Sequence, residues 1–330
     1  MTKPRVVIVG GGFGGLYAAR ALAGAPVSVT LIDKRNYHLF RPLLYQVATG
    51  LLSADEISGP LRSILSRQNN IDVLLGEVTG VDTQKRVVRL EQHDVPYDFL
   101  ILATGVQYNY FGHDEWSRIA PGLVSLSDAD RIRAKVLLAF EQAEELAALQ
   151  LAQTRSDLIN VPARCSHGAV RRPRWMDSMP NAPHGRGYNI YEMASTSPEI
   201  QKLLTFVFVG AGTVGGEMAS TLAEMSRMAL AHDFHHINAR SARILLYEAA
   251  PRVLPSYPEA LSAKAQRHLE QLGVKVYTST SVTSVDADGI IANGQRVPAA
   301  TVLWSAGVLA SPAGQRIIRQ THREFRSVGP

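Results

Sequence analysis

Gly10, Gly12 and Gly15 stand in the order Gly-x-Gly-x-x-Gly, and Gly210, Gly212 and Gly215 repeat that spacing two hundred residues later. Each triplet follows an apolar run, Val6–Val9 and Phe206–Val209, and precedes a helix-compatible stretch, Leu16–Ala23 and Glu217–Met228. A strand before and a helix after give the spacing its meaning. The first glycine permits a tight turn, the second lets the backbone approach a pyrophosphate, and the third lets helix pack on strand. Gly14 lies in the first turn. The open helix end adds unpaired N–H groups and partial positive charge for phosphate oxygens. An acid closes the following strand in each case: Asp33, 23 positions after Gly10, and Glu248, 38 positions after Gly210. Either carboxylate can accept hydrogen bonds from ribose hydroxyls. The extra length before Glu248 is taken up by a longer helix and the polar stretch His232–Ala242. A carboxylate there repels a 2′-phosphate, so NADH is expected over NADPH, with Arg243 and Arg252 as nearby countercharges. Two dinucleotide sites predict relay chemistry, with one nucleotide a tightly held FAD and the other an exchanging NADH. Such hydride transfer needs positioning and electrostatics from the protein and no acid–base residue.

The elements that must position these residues recur as a repeat. Val78-Thr79-Gly80-Val81-Asp82 matches Val282-Thr283-Ser284-Val285-Asp286 at an offset of 204, and Pro96 and Gly105 recur as Pro298 and Gly307 at 202. Each unit reads as βαβ, a hairpin-like insertion, and a buried strand leading to glycine; Asn293-Gly294 is a two-residue hairpin turn. The fold class is therefore α/β, with two Rossmann-like dinucleotide-binding domains. Domain bounds of 1–115 plus 300–330 for FAD and 116–299 for NADH follow. Ser127–Ala152 has a helical apolar period. Residues 154–197 have none, are rich in Pro and Arg, and read as an irregular insertion.

Glu217 lies two residues beyond Gly215, in what reads as the first turn of its helix. Two roles are open to it: a favourable partner of the helix dipole, or a catalytic group beside the nicotinamide.

Other chemistries are excluded. Cys165 is the one cysteine, so no disulfide framework, Cys-x-x-Cys pair or iron–sulfur site can form within the chain. The ten His show no metal-ligand spacing, so no metal is expected. The net charge of +5 comes from residues 154–190, with six Arg against two acids, and 315–330, with four Arg against one. Neither segment interleaves aromatics for stacking bases, so nucleic acid is not an expected partner. No apolar run approaches a membrane span and no signal peptide precedes the first strand, which gives a cytoplasmic expectation.

The sequence resembles the type II NADH dehydrogenases, single-chain NADH:quinone oxidoreductases of the disulfide-reductase-like flavoprotein superfamily. The resemblance rests on Val7–Leu16, on Tyr37-His38-Leu39-Phe40-Arg41-Pro42-Leu43-Leu44-Tyr45-Gln46-Val47-Ala48-Thr49-Gly50, on Leu102-Ala103-Thr104-Gly105, on Val209–Met218 and on Val302–Val308. It implies a glutathione-reductase-like architecture with FAD on Gly10, Gly12, Gly15 and Asp33. Val78 would meet the adenine, Ala103, Thr104 and Gly105 would lie along the nucleotide, and Arg41 and Pro42 near the flavin ring. NADH would use Gly210, Gly212, Gly215, Glu217 and Glu248, with Ala306 and Gly307 closing over it. Electrons would pass from NADH to FAD and on to a membrane quinone without proton pumping, at the inner face of the plasma membrane; a homodimer is compatible with this. Thr213 replaces the usual Pro, and the 154–197 insertion is foreign to the pattern. The family continues past the position of Pro330 into a second FAD motif, quinone-site residues and amphipathic membrane helices. On that ground the expectation is a C-terminally truncated chain, with an inactive nucleotide-binding remnant or a protein electron acceptor as alternatives.

Overall fold

The computed structural model describes residues 2–159, 197–311 and 314. Cys165, most of the 154–197 insertion and the tail from Gln315 lie outside the described residues. The chain divides into two compact units: Met1–Arg133, Val209–Met218 and Leu303–Pro330 form one, Ala134–Phe208 and Ala219–Val302 the other.

The first unit is built on a parallel sheet. Its strands are β1 (Arg5–Val9), β2 (Ser28–Asp33), β3 (Ile71–Leu75) and β4 (Phe99–Leu102), in the order β3-β2-β1-β4. Pairing runs Arg5↔Ser28 to Val9↔Ile32 on one side of β1 and Val6↔Phe99 to Val9↔Leu102 on the other. A central parallel strand is covered on both faces, which explains the unbroken Val-Val-Ile-Val. Val6 and Ile8 point into a core with Leu16, Ala19, Val29, Leu31, Leu61 and Leu65. Val7 and Val9 point the other way, against Ile32, Val81, Val88 and Tyr97. The glycine-rich segment after β1 leads into α1 (Phe13–Ala21), three residues earlier than Leu16 because the glycines themselves join the helix. An antiparallel meander, Val78–Asp82, Val87–Leu90 and Asp94–Pro96, supplies Val81 and Val88 to the second face.

The helix predicted at Ser127–Ala152 runs from Leu126 to Ile159, and is named α2. Leu151 is still buried just before the expected insertion, and the helix continues into its first residues, where the Thr154 hydroxyl bonds the Gln150 carbonyl. In the second unit Phe140 of α2 stacks on Phe206 and Phe234, with centroids at 5.3 and 5.8 Å.

The second sheet repeats the strand order of the first. β5 (Thr205–Val209), β6 (Arg243–Tyr247), β7 (Lys275–Tyr277) and β8 (Thr301–Trp304) lie in the order β7-β6-β5-β8. A second meander, Val282–Asp286, Gly289–Ala292 and Gln295–Pro298, turns at Asn293-Gly294, both with positive φ, as a two-residue hairpin requires. Both meanders carry a register break at the same place, between Val78 and Gly80 and between Val282 and Ser284. The repeat is thus one of backbone geometry and not only of residue type. Among the described residues no helix is long and apolar enough to cross a membrane.

Candidate dinucleotide sites

The two glycine turns share one construction. Gly10 and Gly210 have φ of +105° and +101°, a left-handed region that favours glycine. A Cβ at Gly10 would collide with the Ala103 carbonyl, and one at Gly210 would come within 2.6 Å of the Ala306 nitrogen. A Cβ at Gly15 or Gly215 would strike the carbonyl oxygen of Gly10 or Gly210. At Gly12 and Gly212 the position a Cβ would take has no atom within 4 Å. Gly12 caps α1 with extended backbone (φ −70°, ψ −165°) and no side-chain cap, so the N–H groups of the first helical turn have no intrahelical acceptor. Open space before exposed N–H donors suits a pyrophosphate. A Cβ at Gly14 would meet Ala103 Cβ at an ordinary 3.6 Å.

Behind the first turn, Asp33 ends β2 with its carboxylate fixed from two sides. Oδ2 accepts the Gly11 N–H at 2.5 Å and Oδ1 the Arg35 N–H at 2.6 Å. Glu248 follows β6 as Asp33 ends β2, and its Oε1 accepts the Ala250 N–H at 2.9 Å. Behind the second turn stands Ser305, whose Oγ lies 2.7 Å from the Gly210 carbonyl oxygen and 3.0 Å from that of Val209. Gly105 and Gly307 take φ of +73° and +63°, and a Cβ at Gly307 would approach Phe111 to 2.8 Å.

Cavities within the first unit gather several of these residues. One, of about 320 Å³, brings together Gly10, Asp33, Val78 and Thr104, with Glu77, Gln107 and Ser311. Another, of about 630 Å³, brings together Arg41, Pro42, Gly212 and Glu217, with Phe13, Tyr45, Gln107, Tyr108 and Ser305. Burial pushes the Tyr108 phenol up to about 12 and raises the Glu217 carboxyl above its ordinary range. The helix bearing Glu217, α3 (Thr213–Arg227), begins before Gly215, so Glu217 is its fifth residue and falls beyond the first turn expected from the sequence. The dipole's pull fades over that distance, which weakens the first of the two roles open to this residue.

The sequence assigned no role to several contributors. Gly11 is pinned by Asp33, and a Cβ there would come within 2.5 Å of Leu61 Cδ1. His38 reaches the Gly11 carbonyl from 27 residues away. Ser305 aligns with Ala103 in the repeat, so the one signal available was that difference between the copies.

A family model described as pyridine nucleotide-disulphide oxidoreductase matches residues 4–145 and 168–325. The chain belongs to that family. Within it, the chain is 38% identical over 337 residues to the type II NADH:quinone oxidoreductase Ndh of Mycobacterium tuberculosis, covering 99% of this chain and 62% of that protein. It is 39% identical over 324 residues to NdhA of the same organism, covering 96% and 59%. The chain thus spans about three fifths of the length of these relatives. Among solved structures, NDH2 of Plasmodium falciparum in complex with NADH superposes with a TM-score of 0.74 at 21% identity, over 96% of this chain and 58% of that one. The sulfide:quinone oxidoreductase of Aquifex aeolicus does so at 0.63 and 16%, over 95% and 61%. These likenesses establish the α/β architecture of paired Rossmann-like units.

Proposed function

We propose that this chain is an NADH:quinone oxidoreductase that holds FAD on the first glycine turn and takes NADH on the second. The observation that carries the reading is the larger cavity. There Arg41, Pro42 and Tyr45 face Gly212, Thr213, Val214 and Glu217, so residues of the first turn's surroundings and of the second turn line one space. Bound FAD supplies acceptance of a hydride and onward release of electrons. The chain's own residues bind, orient and shield. Gly12 leaves room at the pyrophosphate, with Gly10, Gly14 and Gly15 shaping the turn, and Asp33 accepts from ribose hydroxyls. Val78, Ala103, Thr104 and Gly105 line the nucleotide. Gly210, Gly212, Gly215, Ala306 and Gly307 do the same for NADH, with Glu248 selecting against a 2′-phosphate. Arg41 places positive charge beside the ring, where it favours negative charge gained on reduction. Glu217, with its carboxyl raised by burial, retains a proton to higher pH than an exposed glutamate.

Residues 1–115 and 300–330 form the FAD-binding domain on this reading and 116–299 the NADH-binding domain. The names of the Mycobacterium relatives support a quinone as acceptor. A lipid-soluble acceptor in turn favours a peripheral position on the inner membrane face. The test is to saturate the purified chain with FAD, remove excess, and record the flavin spectrum and NADH-dependent reduction of a short-chain quinone. The reading requires a bound flavin that NADH bleaches and quinone restores; a chain that retains no flavin would refute it.

A further inference from the structure

His38 lies in the short strand Tyr37–Leu39, opposite Gly59 of Ser58–Pro60. Its Nδ1 is 3.0 Å from the carbonyl oxygen of Gly11. A carbonyl can only accept, so Nδ1 carries the proton in this contact. The imidazole is held there by Phe13, whose ring meets it edge-on at 4.9 Å, and Phe13 in turn meets Phe40 at 5.6 Å.

The Gly11 carbonyl and the Gly12 N–H belong to one planar trans peptide and point in opposite directions. Drawing the oxygen towards His38 therefore turns the Gly12 N–H away from His38. The preceding peptide is fixed as well, because the Gly11 N–H is taken by Asp33. Gly11 is buried and pinned at both its donor and its acceptor, whereas Gly12 is exposed with open space beside it. We propose that His38 is a positioning residue: through the Gly11 carbonyl it sets the peptide plane that presents the Gly12 N–H to the pyrophosphate. This rests on the reading of the first turn as the FAD site, and it deepens that reading by naming what pre-orients the turn. A donor oriented before binding does not have to be ordered at the moment of binding, so the bond contributes to affinity without touching the ligand.

The full chain tests this with two variants. His38→Asn places an amide nitrogen near the position of Nδ1 and keeps a donor; His38→Leu keeps bulk and removes it. FAD dissociation constants are measured by quenching of flavin fluorescence, with melting of the FAD-free forms as the check on folding. His38→Leu is expected to bind FAD about tenfold more weakly, and His38→Asn to stay within about threefold of the unaltered chain. NADH binding is expected to be unchanged in both. His38→Leu binding FAD as tightly as the unaltered chain, or folded His38→Asn binding as weakly as His38→Leu, would overturn the proposal. So would a ¹⁵N spectrum of the unaltered chain with no proton on Nδ1 of His38, a measurement that needs no variant to fold. An unaltered chain that binds NADH but not FAD would instead overturn the assignment of the first turn, and this inference with it.

Discussion

Replacing Gly12 by valine separates what the first turn does for the fold from what it does for a ligand. The backbone at Gly12 is already in a region open to any L residue, and a Cβ there meets nothing within 4 Å. The FAD-free fold therefore loses only the modest difference between glycine and an apolar residue at a helix N-cap, about 1 kcal/mol. On the proposed placement of FAD, the added side chain stands where the pyrophosphate approaches. If it denies the ligand two of the N–H groups at the open helix end, each worth about 1.5–3 kcal/mol to a charged acceptor, the loss is about 3–6 kcal/mol. That corresponds to roughly a hundredfold to ten-thousandfold in affinity. Gly15→Ala should do the opposite, since its Cβ would strike the Gly10 carbonyl and force α1 away from β1 before any ligand arrives. Flavin titration and thermal melting of the FAD-free proteins, run side by side on both variants, check the contrast. Gly12→Val that binds FAD like the unaltered chain would refute the placement of the pyrophosphate. A large loss of melting temperature without ligand would show that the space beside Gly12 is structural.

Three further outcomes are expected. NADH should be preferred to NADPH at least tenfold, about 1.4 kcal/mol, and Glu248→Ala or Glu248→Arg should narrow the ratio of kcat/KM values; equal use of both nucleotides by the unaltered chain removes Glu248 from this role. Because burial raises the Glu217 carboxyl, its charged form is penalised in the fold above the raised pKa and the penalty vanishes below the pKa of the unfolded chain. Glu217→Gln should thus raise the melting temperature at neutral pH and lose that advantage on acidification, and an advantage constant with pH would contradict the burial argument. Trp304→Phe removes an indole N–H that lies 2.9 Å from the carbonyls of Asn109 and Ala306, so denaturant unfolding should show about 1–2 kcal/mol of destabilisation.

What the sequence displayed was whatever depends on neighbours along the chain. The alternation of Val6–Val9 into two cores, the positive φ of Gly10 and Gly210, and the Asn293-Gly294 hairpin all follow from local sterics and periodicity. The offset of 204 paired Val78–Asp82 with Val282–Asp286, while the register break they share came only with the fold. Element ends were less visible. Glycines have poor helix propensity, so α1 and α3 read as starting after their glycines, yet packing against the preceding strand carries the helix through them. The run of α2 to Ile159 was hidden because polar residues there break the apolar period. Contacts between distant positions, such as His38 with Gly11 or Ser305 with Gly210, have no periodicity at all and came only with the folded chain.

Those last two contacts give the duplicated plan a consequence in evolutionary terms. The two copies of one turn cannot easily diverge at their first and third glycines, since a side chain there collides with backbone. Their supports are under no such restraint. The first copy leans on an imidazole and a carboxylate arriving from after its own helix, the second on a hydroxyl just past the strand that follows its meander. A substitution in either support acts on one copy and leaves its twin untouched. Selection can therefore retune one turn while the first and third glycines of both stay fixed.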